Sequence, residues 1–233
     1  MNPLILPEYS SAHPTPVIVA LDFDNADATL QFVRQLNPEH CQVKIGKELF
    51  TATGRSLAES LIHQGFKLFL DLKYHDIPNT VASACKVAAD MGVWMVDMHA
   101  SGGRRMMEAA VEAVAGYAHK PLLIGVTVLT SMDEADAREV GIVKPIAEQV
   151  VDLATLAQAS GLDGVVCSAM EAQPLRAAAA ARLPPTSALR SESPPSTTKT
   201  RPAPGESTAC LTKVLSSKHC TVRTGPAKCP TAP

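Results

Sequence analysis

Short apolar runs alternate with segments of helical periodicity through most of the chain. The first run, residues 17–22, is apolar until it ends in an acid, and the positions that follow place Ala26, Leu30 and Val33 on one helical face. Further pairs of this kind begin with apolar runs at residues 41–46, 66–71, 93–99, 122–129 and 164–167. The alternation predicts six βα units, and therefore a parallel sheet covered by helices.

Two architectures fit this pattern, an open doubly wound sheet and a (β/α)₈ barrel. No Gly-x-Gly-x-x-Gly turn follows the first run, which weakens the dinucleotide-binding version of the open sheet. Polar residues stand at or just after the ends of the runs, where barrel enzymes assemble their active sites. We therefore predict an α/β fold of the (β/α)₈ barrel type, with six units recognisable and the last two missing or aberrant. The polar residues in question are Asp22, Lys44, Asp71, Lys73, Asp97, His99 and Thr130.

Composition changes abruptly near residue 182. Residues 183–233 carry 7 Lys and Arg against 2 Asp and Glu, hold 9 of the 18 prolines, and contain no Phe, Tyr, Trp, Ile or Met. Such a segment lacks the apolar surface that offsets the entropy cost of ordering a chain. We predict an N-terminal arm (1–16), a barrel domain (17–182) and a basic tail without regular structure (183–233).

The overall composition excludes several classes of protein. The 233 residues have a formal net charge of −2, which argues against non-specific nucleic-acid binding. No apolar run approaches the ~20 residues of a membrane-spanning helix, and no basic segment precedes an apolar one at the N-terminus. We expect a cytoplasmic protein that binds neither nucleic acid nor membrane. The six cysteines are too scattered to predict a disulfide scaffold or a metal site.

The most concentrated chemical signal is the segment Asp-Leu-Lys-Tyr-His-Asp-Ile-Pro-Asn-Thr at residues 71–80. Because side chains alternate along a strand, Asp71 and Lys73 project to the same side, and Lys44 reaches the same rim from the neighbouring strand. With Asp76 in the following loop, the four groups form an alternating Lys-Asp-Lys-Asp array.

An array of this kind suits a decarboxylation. An ammonium held between carboxylates stays protonated and can deliver a proton to carbon, whereas a carboxylate beside it repels a substrate carboxylate and favours its departure as CO₂. A salt-bridge network that only closes the top of the barrel is the structural alternative, although burying four charges in one place is costly.

These residues and their surroundings resemble the orotidine 5′-phosphate decarboxylase family over about residues 17–172. The resemblance implies a lyase that converts orotidine 5′-phosphate to UMP in pyrimidine biosynthesis, with neither metal nor organic cofactor. A sister Mg²⁺-dependent sugar-phosphate enzyme shares the Asp-x-Lys-x-x-Asp pattern and is the runner-up. The blocks that carry the resemblance are Ala-Leu-Asp22, Val43-Lys-Ile-Gly-Lys-Glu48, residues 69–80, His99-Ala-Ser-Gly-Gly103, Val126-Thr-Val-Leu-Thr-Ser-Met132 and residues 161–168.

The resemblance also implies roles for the charged residues. Lys73 is expected to donate the proton to C6 of the pyrimidine after CO₂ leaves, Asp71 to face the substrate carboxylate, and Lys44 to complete the charge network at the ribose. Asp97 and His99 end a strand of their own, and we expect them to support these groups rather than to react.

Further roles concern substrate binding and assembly. By the same resemblance, Asp22 binds the ribose and Thr130 the pyrimidine ring. Family members are homodimers with active sites at the subunit interface, so Asp76 and Thr80 are expected to complete the site of the neighbouring subunit.

The family pattern stops near Leu183. The resemblance calls for a Pro-Gly-Ile-Arg-like turn, a loop with a phosphate-binding Gln and a Gly-Arg phosphate grip, and none of these occurs in the tail. Arg190 lies in Ser-Ala-Leu-Arg-Ser-Glu and receives no role. We hypothesise that the tail is read in a shifted frame, and we expect weakened phosphate binding and low activity. A remnant that has lost catalysis is therefore the alternative to an active enzyme.

Overall fold

The computed structural model describes residues 17–168, Glu171 and Leu175. The predicted N-terminal arm (1–16), the end of the predicted barrel domain and the tail (183–233) lie outside these residues. The described strands are β1 (Ile18–Ala20), β2 (Gln42–Gly46), β3 (Leu68–Tyr74), β4 (Met95–His99), β5 (Leu122–Val126) and β6 (Gly164–Val166). The helices are α1 (Ala26–Val33), α2 (Lys47–His63), α3 (Pro78–Asp90), α4 (Arg104–Val114), α5 (Glu134–Glu139) and α6 (Ile146–Ala159), and a 3₁₀ turn covers Ala100–Gly102.

The six strands form one parallel sheet whose spatial order is the chain order, β1 to β6. Each strand is followed by a helical segment before the next strand begins, up to β6. This is the consecutive winding of a (β/α) barrel rather than the reversed order of a doubly wound sheet. The prediction of six parallel strands with helices between them is confirmed, and the sheet forms the greater part of a barrel wall. The prediction that the last two units are missing or aberrant falls on residues outside those that the structure describes.

The two faces of the sheet bury different groups. One face packs against the helices in a large apolar core that includes Leu68, Leu70, Val96 and Met98. The opposite, inner face begins with a smaller apolar layer, and polar side chains follow it along the strands. Because side chains alternate, residues two and four positions beyond Phe69 share its inner face. The inner apolar layer consists of Ile18, Phe69, Met95 and Ile124.

The helices follow the predicted apolar faces, with one addition. The short helix α5 was not expected, although Asp133 and Asp136 form the capping box that begins it. Pro78 lies in the first turn of α3, where its missing N–H is not needed. Helix α6 approaches the sheet closely at Gly125, where a Cβ atom would lie 3.1 Å from Cβ of Ala157. No helix in the described part of the chain is long and apolar enough to cross a membrane.

Candidate active site

Three charged side chains meet on the inner face, past the apolar layer. Lys44 lies opposite Phe69 in the β2–β3 register, and Asp71 is two residues beyond Phe69 on β3. Nζ of Lys44 is 2.8 Å from Oδ2 of Asp71, and Nζ of Lys73 donates to Oδ1 of the same carboxylate. The side chains of Lys44 and Asp71 are 10% and 11% exposed, and that of Lys73 is 26% exposed. Asp71 thus lies between two ammonium groups, one of which remains partly open to solvent.

Lys73 has an unusual backbone. Its φ of 51° is the only positive φ at a non-glycine residue in the described part of the chain. The β3–β4 register shifts between Leu70 and Tyr74, so the strand is irregular where it carries Asp71 and Lys73. Lys73 N–H donates to Oδ1 of Asp97 on β4 at 2.7 Å. A side chain therefore supplies the acceptor for this backbone donor.

Asp97 is the second carboxylate of this cluster. It is 1% exposed, and its Oδ2 lies 3.8 Å from Nζ of Lys73. The sequence predicted a supporting position for Asp97, but it did not predict contact with both the backbone and the ammonium of Lys73. The available signal was the alternation along β4, which puts Asp97 on the same inner face as Met95.

The two carboxyl groups have opposite protonation tendencies. Burial, the hydrogen bond to Asp71 and the negative charge of Asp71 raise the pKa of Asp97 to about 8. Burial also disfavours charge on Asp71, but the hydrogen bond from Asp97 and the ammonium groups of Lys44 and Lys73 outweigh it and hold the pKa of Asp71 well below its usual range. Asp71 is therefore ionised at neutral pH, while Asp97 retains a proton over much of the physiological range.

Two histidines border this cluster. The rings of His75 and His99 are 5.5 Å apart, centroid to centroid. Burial lowers the pKa of His99, and electrostatic interactions with His75, Lys47 and Lys73 lower it further. His99 is thus mainly neutral at neutral pH, in keeping with the supporting position expected for it.

The remaining predicted residues lie around the rim. Asp22 follows β1 and Thr130 follows β5, and both are exposed. Asp76 and Thr80 flank the start of α3 and are also exposed; Oδ1 of Asp76 accepts a hydrogen bond from the N–H of Ile77 at 2.6 Å. Within the described residues, Asp76 does not join the ion pairs of Lys44, Asp71 and Lys73. The fourth predicted member of the array is therefore separate from the other three in a single chain.

Other potentially reactive groups are inert or dispersed. Cys41 and Cys85 are buried free thiols, and burial raises the pKa of both. Between residues 17 and 168, no three His, Cys, Asp or Glu side chains are grouped so as to hold a metal ion.

Comparisons with known proteins agree with this geometry. The sequence model of the orotidine 5′-phosphate decarboxylase / HUMPS family matches residues 15–193, so the match extends beyond residues 17–172 at both ends. Orotidine 5′-phosphate decarboxylase of Neisseria gonorrhoeae is 76% identical over 176 residues, which cover 76% of this chain and 72% of the relative. The enzyme of Chromobacterium violaceum is 61% identical over 178 residues, with the same two coverages.

Solved structures give the same result for the fold. A crystal structure of orotidine 5′-phosphate decarboxylase from Lactobacillus acidophilus superposes with a TM-score of 0.66 at 42% identity, covering 70% of this chain and 76% of the other. An uncharacterised conserved protein from Geobacillus kaustophilus gives a TM-score of 0.67 at 46% identity, covering 70% of this chain and 78% of the other.

Proposed function

This chain belongs to the orotidine 5′-phosphate decarboxylase / HUMPS family, and we propose that it decarboxylates orotidine 5′-phosphate to UMP in pyrimidine biosynthesis. The observation that carries the proposal is the placement of one ionised carboxylate, Asp71, between the ammonium groups of Lys44 and Lys73 on the inner face of the barrel wall. The 76% identity to a named decarboxylase favours this reaction over that of a sister sugar-phosphate enzyme.

The first step is the departure of CO₂. With the pyrimidine bound over the inner face, the substrate carboxylate lies against Asp71, and the two negative charges repel each other. The bond between C6 and the carboxyl carbon breaks, and its electron pair stays on C6. The ammonium groups of Lys44 and Lys73 are already in place, so the developing negative charge is stabilised without reorganisation of the site.

The second step is protonation of C6. Nζ of Lys73 is hydrogen-bonded to Asp71 and is the more exposed of the two ammonium groups. It gives one proton to C6, which completes UMP, and regains a proton from solvent before the next turnover. Both steps use only side chains of this protein, so we propose that neither a metal nor an organic cofactor takes part.

Substrate binding and assembly complete the proposal. Asp22 and Thr130, at the ends of β1 and β5, are proposed to contact the ribose and the pyrimidine. Asp76 and Thr80 are exposed beside Ile77, whose side chain is 66% exposed. An exposed apolar residue between two polar ones suits a subunit interface. We propose a cytoplasmic homodimer in which Asp76 and Thr80 enter the neighbouring subunit's site.

A direct assay tests the function. The purified chain is mixed with orotidine 5′-phosphate, and the loss of substrate absorbance is followed with and without EDTA. We expect EDTA-insensitive turnover that the Lys73→Ala variant abolishes. A requirement for Mg²⁺ would instead favour the sister enzymes. If the wild-type chain neither turns over substrate nor gives heat when titrated with UMP, the protein is not a working decarboxylase.

A further inference from the structure

We propose that Asp97 is a positioning residue for the reaction, because its carboxyl group holds the backbone of Lys73 in the left-handed conformation that aims the ammonium at Asp71 and the substrate. The proposal rests on the proposed function in one respect only, which is that the aim of Lys73 matters for turnover. The hydrogen bond itself can be tested without any activity.

The backbone at Lys73 needs an external constraint. A non-glycine residue at φ 51° places its Cβ close to the following carbonyl oxygen, and such a conformation persists only where the surroundings fix it. The regular β3–β4 ladder does not fix it, because the register shifts between Leu70 and Tyr74. The interaction that the structure provides is the hydrogen bond from Lys73 N–H to Oδ1 of Asp97 at 2.7 Å.

The second oxygen of the Asp97 carboxyl group also interacts with Lys73. Oδ2 of Asp97 lies 3.8 Å from Nζ of Lys73, so one side chain contacts both ends of the lysine. Asp97 is 1% exposed, and water therefore cannot readily replace it as the acceptor for this N–H. Nζ of Lys73 also pairs with Asp71, so the residue whose backbone Asp97 holds is the one that donates its ammonium to that carboxylate.

This role requires an acceptor oxygen and not a negative charge. Asn has nearly the shape of Asp, and its amide oxygen can accept from Lys73 N–H. Leu has the same branched arrangement of side-chain heavy atoms, in a somewhat larger volume, and offers no acceptor oxygen. The pair Asp97→Asn and Asp97→Leu therefore separates hydrogen bonding from shape.

The chain offers a matched control pair far from the site. Oδ2 of Asp163 accepts from the backbone N–H of Leu123 at 2.8 Å, at the beginning of β5. This is the same type of aspartate-to-strand hydrogen bond, placed at the opposite end of the sheet from the charged cluster. Asp163→Asn and Asp163→Leu test whether loss of such a bond lowers activity merely by weakening the barrel.

The first measurement is amide hydrogen exchange at Lys73 by NMR. We expect protection of this amide in the wild-type chain and in Asp97→Asn, and exchange at least about tenfold faster in Asp97→Leu, while amides of β2 stay protected. A wild-type Lys73 amide that exchanges as fast as exposed loop amides would overturn the proposal, as would equal protection in Asp97→Leu. Neither result depends on whether the chain is active, and the β2 amides report whether Asp97→Leu remains folded.

The second measurement is steady-state kinetics on the same variants. We expect Asp97→Leu to lower kcat by about 10²-fold with little change in KM, because a misaimed ammonium affects the chemical step more than binding. The kcat of Asp97→Asn should stay within about threefold of wild type, and both Asp163 variants should keep their kcat.

Equal losses of kcat in Asp97→Asn and Asp97→Leu would show that the charge of Asp97 is what matters. An equal loss in Asp163→Leu would show that a weakened barrel explains the effect. Either result contradicts the proposal. An inactive wild-type chain would refute the proposed function, whereas the exchange data would still decide the positioning role.

Discussion

Nζ of Lys44 lies 2.8 Å from Oδ2 of Asp71, and the two residues belong to neighbouring strands of one parallel sheet. Both side chains are about nine-tenths buried. Removing two charges from water is expensive, and their mutual attraction repays the cost only in good geometry. The Lys44–Asp71 ion pair therefore contributes little to the free energy of folding. Buried charges of this kind are expected where they are needed for chemistry.

Replacing Lys44 should damage catalysis more than folding. In Lys44→Met, Asp71 keeps Lys73 as a partner but loses a charge-assisted contact, so we expect a stability loss of about 1–3 kcal/mol by urea unfolding. Loss of one fixed ammonium beside the reacting carboxylate should lower kcat/KM by about 10²–10³-fold in the absorbance assay.

Lys67→Met is the matched control for this substitution. Lys67 is exposed and immediately precedes β3, at the end of the strand away from Asp71. It should leave both stability and kcat/KM nearly unchanged. A Lys44→Met enzyme that is destabilised but retains wild-type kcat/KM would show that the ion pair is only structural.

Subunit mixing should reveal the proposed shared site. Lys73→Ala and Asp76→Ala homodimers are each expected to be inactive. In a mixed dimer, the site of the Asp76→Ala subunit has its own Lys73 and receives an intact Asp76 from the other subunit. Random exchange of subunits should therefore restore about a quarter of wild-type activity, measured after mixing at equal concentrations.

A second mixture controls for non-specific recovery. Lys73→Ala mixed with Asp71→Ala should stay inactive, because both residues belong to the site of the same subunit and Asp71 contacts Lys73 directly within one chain. If the mixture of Lys73→Ala with Asp76→Ala also remains inactive although subunits exchange, Asp76 acts within its own chain and the shared site is wrong.

The charged cluster was predictable because two simple periodicities determine it. Strand alternation puts Asp71 and Lys73 on one face, and parallel pairing brings Lys44 beside them, so sequence spacing alone brought these three residues together. The backbone at Lys73 was not predictable. A left-handed lysine is intrinsically disfavoured, and its stabilisation depends on Asp97, which lies 24 residues further along the chain.

Element boundaries show the same distinction between local and distant causes. The fifth apolar run predicted a strand over residues 122–129, but β5 ends at Val126. Val126 is also its last residue paired with β6. Apolar content marks what is buried, whereas the neighbouring strand determines how far the ladder extends. Helix α5 was missed because it is short, although its capping box is visible in the sequence.

Restoring a family-like C-terminal segment should raise activity. Residues 183–233 contain no Pro-Gly-Ile-Arg-like turn and no Gly-Arg phosphate grip. Each charge-assisted contact to phosphate contributes about 1.5–3 kcal/mol, so regaining two of them should raise kcat/KM by about 10²-fold or more. The measurement compares the unmodified chain with a chimera that carries the corresponding segment of a relative. Equal kcat/KM values for the two proteins would show that this chain does not need the missing motifs.

The stability of the protein should decrease as the pH rises from about 4 to about 8, owing to Asp97. Burial and the neighbouring Asp71 raise the pKa of Asp97 to about 8 in the folded chain, whereas an unfolded aspartate titrates near ~3.9. Between these values the folded state holds a proton that the unfolded state has released, so unfolding is favoured by raising the pH. The amide that replaces the carboxyl group in Asp97→Asn cannot titrate, and the Tm of this variant should therefore fall less than that of the wild type between pH 5 and pH 8.

The lowered pKa of His99 is common to both proteins, so its effect cancels when the two Tm curves are subtracted. Parallel Tm curves over this range would mean that Asp97 is ionised throughout. The ammonium of Lys73 would then outweigh burial in setting the pKa of Asp97.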